Sequence, residues 1–244
     1  MEKIYIGIDD TDNLDSRGTG FHARQMMERL HQNQLGNCTG ITRHQLLFDD
    51  RVPYTSHNSS ACLAFENKAD LQVLITVCRK FLLEIAAEGS DVGLCIAKEG
   101  QASQLEVFGK SAQTCLLTQQ EAEAVAEQHS IFLQGLTGDH QGIIGALSAV
   151  GLHAWGNDGR YIWAPGLREH DNQSLTLDSV TKRASIDKIS LLDGTEVLDT
   201  KAVIDLGPWP RAVRINKQAV LLVEKSNDNQ YQVLDKDIIK SAYR

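Results

Sequence analysis

The amino-acid sequence predicts an α/β (α+β) protein: a mixed sheet carrying helices over most of the chain, followed by a small β-rich C-terminal unit. Three observations lead there. Apolar runs of strand length alternate with segments of helical spacing. Glycine- and aspartate-rich loops stand where strands give way to helices. After Trp155 the texture changes to short alternating runs broken by turn signals at Asp193-Gly194, Asn227 to Asn229 and Gly207-Pro-Trp-Pro210.

In order along the chain, Lys3 to Ile8 has the continuous apolar character of a buried strand. A polar loop follows, and Gly20 to Gln34 reads as a helix with Phe21, Met26, Met27 and Leu30 roughly on one side. Cys38 to Phe48 is a second apolar stretch. The polar segment Pro53 to Ser60 separates it from a strand at Ala61 to Phe65. Asp70 to Glu88 has helical spacing at Leu71, Leu74, Val77, Cys78, Phe81 and Ile85, and Gly93 to Ala97 reads as a strand. Thr118 and Glu121 have capping-box spacing and start an alanine-rich helix to about Gln128. A glycine-rich loop from Gln134 enters a helix that continues to about Val150. The boundary between an N-terminal catalytic region (1–169) and the β-rich unit (170–244) is placed near residue 170.

The bulk properties exclude several classes. With 244 residues, 42% hydrophobic, the chain can bury a full core. A net charge of -8, with no Lys/Arg run, opposes binding to a polyphosphate backbone. The start is too short in apolar residues for an export signal, and no apolar run approaches the ~20 residues of a membrane span. Cys38, Cys62, Cys78, Cys95 and Cys115 stand singly, without a Cys-x-x-Cys pair, as reduced core residues of a cytoplasmic protein do.

Four places could carry chemistry. Asp9, Asp10, Asp12 and Asp15 put four carboxylates within seven residues, a crowding that a bound Mg2+ would relieve; the plain alternative is that they form Asx turns and cap the next helix. Arg17-Gly-Thr-Gly20 offers backbone N-H groups at a helix start to a phosphate, or is simply a turn. Pro53 to Ser60, with Arg43 and His44 before it, is dense in donors and acceptors that could orient a ligand, or is a solvated connection. Gly135 to Gly145 could cradle phosphates, although Gly142 and Gly145 could equally serve close helix packing. Gly109-Lys-Ser111 mimics the end of a Walker motif, but Gln104 stands where its first glycine belongs. His31, His129, His153 and His170 are scattered.

These four places, in this order, resemble the N-terminal kinase-like and ferredoxin-like region of the archaeal agmatidine synthetase (TiaS) family. The resemblance rests on Gly7-Ile-Asp-Asp-Thr-Asp12, on Val52-Pro-Tyr-Thr with Asn58, on Phe108-Gly-Lys with the helix at Glu121, and on Gly138 with Gly142 to Gly151. It covers about residues 1 to 165. It implies an enzyme that uses ATP and Mg2+, with Asp9, Asp10 and Asp12 as metal and catalytic residues. Gly18, Thr19, Gly20, Arg43, Thr55, Asn58, Gly138 and Gly142 would then bind the nucleotide. Two departures stand out. Gly18-Thr-Gly-Phe-His replaces the family's threonine-rich segment, and Thr55-Ser56 stands where the family has a lysine in its Pro-Tyr-Lys-Thr motif. The family's OB-fold and zinc ribbon, which grip tRNA, find no counterpart in the sequence.

The expectation that follows is a Mg-ATP-dependent, kinase-like transferase acting on a small-molecule acceptor, with tRNA not expected as a ligand for this chain alone. Two alternatives stand beside it: a nucleotide-binding module without turnover, and a tRNA-modifying enzyme that needs a partner for tRNA binding.

Overall fold

The computed structural model describes residues 1–52 and 58–243. The chain forms two compact units, Met1–Trp155 and Gly156–Arg244.

The first unit runs β1 (Glu2–Asp9), α1 (Thr19–Gln32), β2 (Gly36–Gln45), β3 (Ser59–Asn67), α2 (Leu71–Ile85), β4 (Gly93–Lys98), the short α3 (Glu99–Ala102) and α4 (Glu106–Ser111), α5 (Gln119–Gln128), β5 (Phe132–Gly135) and α6 (Gly142–Trp155). Its strands lie in the order β5-β4-β1-β3-β2, and every neighbouring pair is antiparallel. The first βαββαβ run, in spatial order β4-β1-β3-β2, is the split β-α-β arrangement of ferredoxin-like folds. The α+β class expected from the sequence is therefore present.

Strand β1 is buried on both faces. Ile4, Ile6 and Ile8 are fully buried. Side chains alternate along a strand, so Tyr5 and Gly7 face the other way, where Tyr5 packs with Ala146, Ala149 and Val150 of α6. This double burial is why Lys3 to Ile8 reads as a continuous apolar run. The same holds for α6, in which every residue from Ala146 to Ala154 is buried. A helix covered all round shows no single apolar stripe.

Local chemistry sets the helix starts. Asp70 caps α2 by accepting from the Gln72 N-H at 2.8 Å. Thr118 and Glu121 close the expected capping box on α5: the Glu121 carboxylate accepts from the Thr118 N-H at 2.7 Å, and the Thr118 hydroxyl accepts from the Glu121 N-H at 3.2 Å.

Helix α6 approaches the sheet backbone to backbone. A Cβ on Gly7 would strike the Ala146 carbonyl, and one on Gly93 would strike Gly142. Only hydrogen in place of a side chain allows this approach.

The second unit contains β6 (Arg160–Trp163), β7 (Ser174–Thr176), α7 (Leu177–Arg183), β8 (Lys188–Ser190), β9 (Val203–Asp205), β10 (Ala212–Ile215), β11 (Gln218–Asn227), β12 (Gln230–Val233) and α8 (Lys236–Ala242). Its order is β6-β10-β11-β12-β9-β7, with β8 parallel to β11 and β9 parallel to β12. Asn216 and Lys217, at φ of 49° and 64°, make the two-residue turn between β10 and β11. Positive φ at both positions matches the right-handed twist of the hairpin. Alternation sends Leu221 and Val223 into one core cluster and Val220 and Leu222 into another.

The division between the units falls at 155/156, ahead of the boundary near residue 170 expected from composition. The reason is β6, whose Arg160 pairs with Val213 of β10 and so belongs with the β-rich unit. The turn residues Gly156-Asn-Asp-Gly159 directly before β6 mark this division in the sequence. Among the described residues no helix is long and apolar enough to cross a membrane.

The close approach of α6 generates a stability prediction. Gly7→Val should cost about 3 kcal/mol, at the upper end of overpacking penalties. Gly100→Ala, where an added Cβ meets nothing, should stay within about 0.5 kcal/mol of wild type. Urea denaturation midpoints of the two variants check this; equal midpoints would refute the tight contact.

Candidate active site

The loop after β1 and the starts of α1 and α6 meet at a cavity of about 520 Å³ lined only by residues of the first unit. Asp9, Asp10, Asp12, Gly18, Thr19, Gly20, Arg43, Asn58 and Gly142 all line it, so nine of the expected site residues come together. Thr55 and the Pro53-Tyr-Thr motif lie outside the described residues. Asp15 is exposed and does not line the cavity.

The aspartates take different roles. Asp9, at the end of β1, lays its carboxylate against Gly145 of α6, where any side chain would collide with it. Burial pushes the Asp9 carboxyl up from 3.8 to about 8, with the neighbouring Asp10 and Asp12 charges adding to the rise. Asp10 has a left-handed backbone, φ 50°, and accepts from the Asp91 N-H at 3.2 Å. Its carboxyl is also raised, by burial first and by the charges of Asp91 and Asp12, against the lowering effect of that N-H. Asp12 accepts from the Thr19 N-H at 2.9 Å and from the Thr19 hydroxyl at 2.7 Å. It thereby supplies the cap that Gly18, lacking a side chain, cannot give α1.

The Asx-cap reading thus describes Asp12. It also means that the Thr19 N-H, expected to meet a phosphate, already serves a carboxylate. Among the described residues no three His, Cys, Asp or Glu side chains are gathered closely enough to hold a metal ion by themselves. A cation at Asp9 and Asp10 needs further oxygens from elsewhere.

Gly138 is not brought to the cavity. At φ 56° it forms a turn folded over the Asp91 carboxylate, which accepts from the Asp139 N-H at 2.6 Å. The Asp91 carbonyl accepts from the Gly142 N-H at 2.9 Å, so Asp91 joins the β1 loop, the Gly138 turn and the start of α6. Gly145, open in the sequence between a phosphate-cradling and a packing role, lines the cavity and packs against Asp9.

His44 also parts from Arg43. Alternation along β2 turns Arg43 toward the cavity, where it donates to the Ser59 hydroxyl at 2.8 Å. His44 is fully buried, and the Thr42 hydroxyl stands 2.7 Å from its Nε2 and 2.8 Å from Nδ1 of His153. These are hydrogen-bonded core histidines.

Arg17, Ser59, Ser60, Gln141 and Gly145 also line the cavity from the stretches singled out in the sequence, and sequence reasoning missed the other lining residues. Arg24 follows Gly20 and Phe21 at helical spacing, a signal that was available. The Arg17 and Arg24 guanidinium groups lie 5.5 and 5.9 Å from the Phe21 ring. Arg51, Leu46, Leu116, Leu117 and Ile144 arrive from distant elements, and nothing local marks them. Cys115, expected in the core, is exposed and lines the cavity, whereas the other four cysteines are buried.

The cavity therefore combines carboxylates suited to a hard cation, guanidinium groups suited to phosphate oxygens, and an apolar side suited to a planar ring. No family model matches the chain. Over 153 residues it is 29% identical to the tRNA 2-agmatinylcytidine synthetase TiaS of Archaeoglobus fulgidus, a match over 61% of this chain and 36% of that protein. It is 26% identical to an uncharacterized protein of Methanocaldococcus jannaschii, over 62% of this chain and 50% of that one. Among solved structures, the complex of TiaS with its isoleucine tRNA and ATP superposes with a TM-score of 0.56 at 29% identity, covering 62% of this chain and 36% of that chain. The resemblance to agmatidine synthetase read from the sequence is thus borne out for the N-terminal part of the chain. The chain spans half or less of these relatives' lengths.

Two measurements follow from the site. The unfolded Asp9 carboxyl releases its proton near 3.8, while the folded one keeps it to about 8, so the stability it contributes at low pH is lost as pH rises through that interval. The Tm of the metal-free wild type should fall from pH 5 to pH 8 relative to Asp9→Asn; parallel curves would contradict the burial of this group. In the native protein Cys115 alone of the five thiols should react promptly with a maleimide, since burial pushes Cys38 and Cys78 up to about 12 and raises Cys95 as well. Rapid labelling of more than one thiol, read by mass spectrometry, would show the core to be open.

Proposed function

We propose that the first unit is the ATP-using catalytic region of an enzyme that modifies RNA, with tRNA the leading candidate substrate. The observation that carries this reading is the cavity of Asp9, Asp10, Gly142, Gly145, Arg17 and Arg24, which lies within the part of the chain that resembles TiaS. That protein's structure was solved with a tRNA and ATP. The small-molecule acceptor expected from the sequence gives way to the tRNA alternative. The first unit carries the chain's net charge of -8, but the cavity itself presents Arg17, Arg24, Arg43 and Arg51.

In this reading Arg17 and Arg24 bind phosphate oxygens, held in place by the Phe21 ring. Leu46, Leu117 and Ile144 cover the base and exclude water. Gly142 and Gly145 let the nucleotide approach the start of α6, where the helix dipole favours negative charge. The Asp9 and Asp10 oxygens fit a divalent cation, because burial first and neighbouring carboxylates next raise both carboxyls, a cost that a cation would relieve, and Mg2+ characteristically takes one or two carboxylates and completes its shell with phosphate oxygens and water. Such a cation supplies charge neutralisation for the triphosphate. Asp9, the more enclosed, is positioned to hold a proton at its carboxyl until cation and nucleotide arrive.

The test is a thermal-shift titration with ATP, with and without Mg2+. Wild type should gain several degrees only with both present at about a hundred times Kd. Asp10→Asn should lose this gain while its unliganded Tm equals or exceeds wild type, since one repelling charge is gone. Normal Mg-ATP stabilisation of Asp10→Asn would remove the cation from this site.

A further inference from the structure

The second unit carries a feature that the cavity does not explain. Trp209, in Gly207-Pro-Trp-Pro210, is 53% exposed. Leaving an indole half in water forgoes a large hydrophobic gain, and exposed aromatic rings flanked by cations are characteristic of recognition surfaces. Two guanidinium groups converge on this ring: Arg168 stands 4.4 Å from its centroid and Arg211 5.4 Å. The geometry is built by the fold, for the Asn172 N-H donates to the Gly207 carbonyl at 2.7 Å and ties the segment bearing Arg168 to the loop bearing Trp209. Pro208 and Pro210 restrict the backbone on either side of the ring. Cations held against an aromatic face lose less freedom on meeting an anion than free side chains do.

Charge does not oppose such a partner. Residues 1–155 contain 11 Lys and Arg against 19 Asp and Glu, whereas residues 156–244 contain 13 of each. The whole net charge of -8 therefore falls on the first unit, and the second does not repel a polyanion.

We propose that Trp209, Arg168 and Arg211 form a contact site for an unpaired nucleotide of RNA. Its base stacks on the indole or on a guanidinium plane, and an adjacent phosphate takes guanidinium N-H groups. The identity of the nucleic acid as RNA rests on the function proposed above; the stacking site itself does not.

The experiment uses the full chain and measures binding to total tRNA and to a single-stranded oligoribonucleotide across a salt series, without ATP. Trp209→Ala should weaken binding about ten-fold or more, the loss of one base–aromatic stack, with an unchanged salt dependence. Trp209→Phe should retain most of the affinity. The Arg168→Ala/Arg211→Ala double variant should flatten the plot of log K against log salt by about 0.7 for each phosphate that is no longer neutralised. Thermal melts and the Mg-ATP shift of each variant, expected to match wild type, report the fold and the nucleotide site separately. Loss of the ATP response with RNA binding intact would count against the proposed ATP chemistry alone. Equal RNA binding by Trp209→Ala and wild type, no RNA binding by wild type, or a concentration-dependent dimer that Trp209→Ala dissolves would each overturn the nucleotide contact.

Discussion

The first unit depends on one contact, the meeting of α6 with the backbone of β1 and β4. Gly7 and Gly93 on the sheet face Ala146 and Gly142 on the helix with no side chain between them. Dispersion falls off steeply with distance, so an approach this close gains attraction along the length of both elements, and a single added methyl group forfeits it. The contact has a second effect. It brings the start of α6 beside the end of β1, and so brings Gly145 beside Asp9. The packing that stabilises the core and the placement of the candidate site are one arrangement.

That arrangement carries an electrostatic cost. Asp9 and Asp10 both have raised carboxyls, with burial the first cause and neighbouring carboxylates acting in the same direction. A carboxylate taken from water among like charges resists ionisation, so this placement lowers stability as pH rises. Asp12 is different, since its two bonds to Thr19 offset its placement by ordering the start of α1. Within one short motif, Asp12 caps a helix, whereas Asp9 and Asp10 sit where burial and like charge disfavour their ionised forms.

The second unit solves another problem. Apart from the ten-residue β11 its strands are short, and two of its pairings, β8 with β11 and β9 with β12, are parallel. Its core divides into clusters on the two faces of β10 and β11, with Ala212 and Leu221 on one side and Val213 and Val220 on the other. Trp209 lies just before β10, at a loop that Asn172 holds in place, and the ring is presented to solvent where it could have been folded inward.

The sequence by itself determined the elements whose causes are local. The capping box at Thr118 and Glu121, the helical spacing of α2 and the aspartate motif after β1 all depend on residues within a few positions of each other, and they stand where the sequence placed them. Hence the α+β class and nine residues of the candidate site could be read. Only the tertiary structure decided the rest. It turned His44 into the core while Arg43 lines the cavity, and it gave Gly138 to a turn over Asp91 while Gly145 went to Asp9. It also added Leu116 and Leu117 to the cavity and set Arg168 and Arg211 around Trp209. A residue's spacing specifies the face it occupies on its own helix or strand; what that face meets depends on contacts between segments tens of residues apart, which no local pattern records.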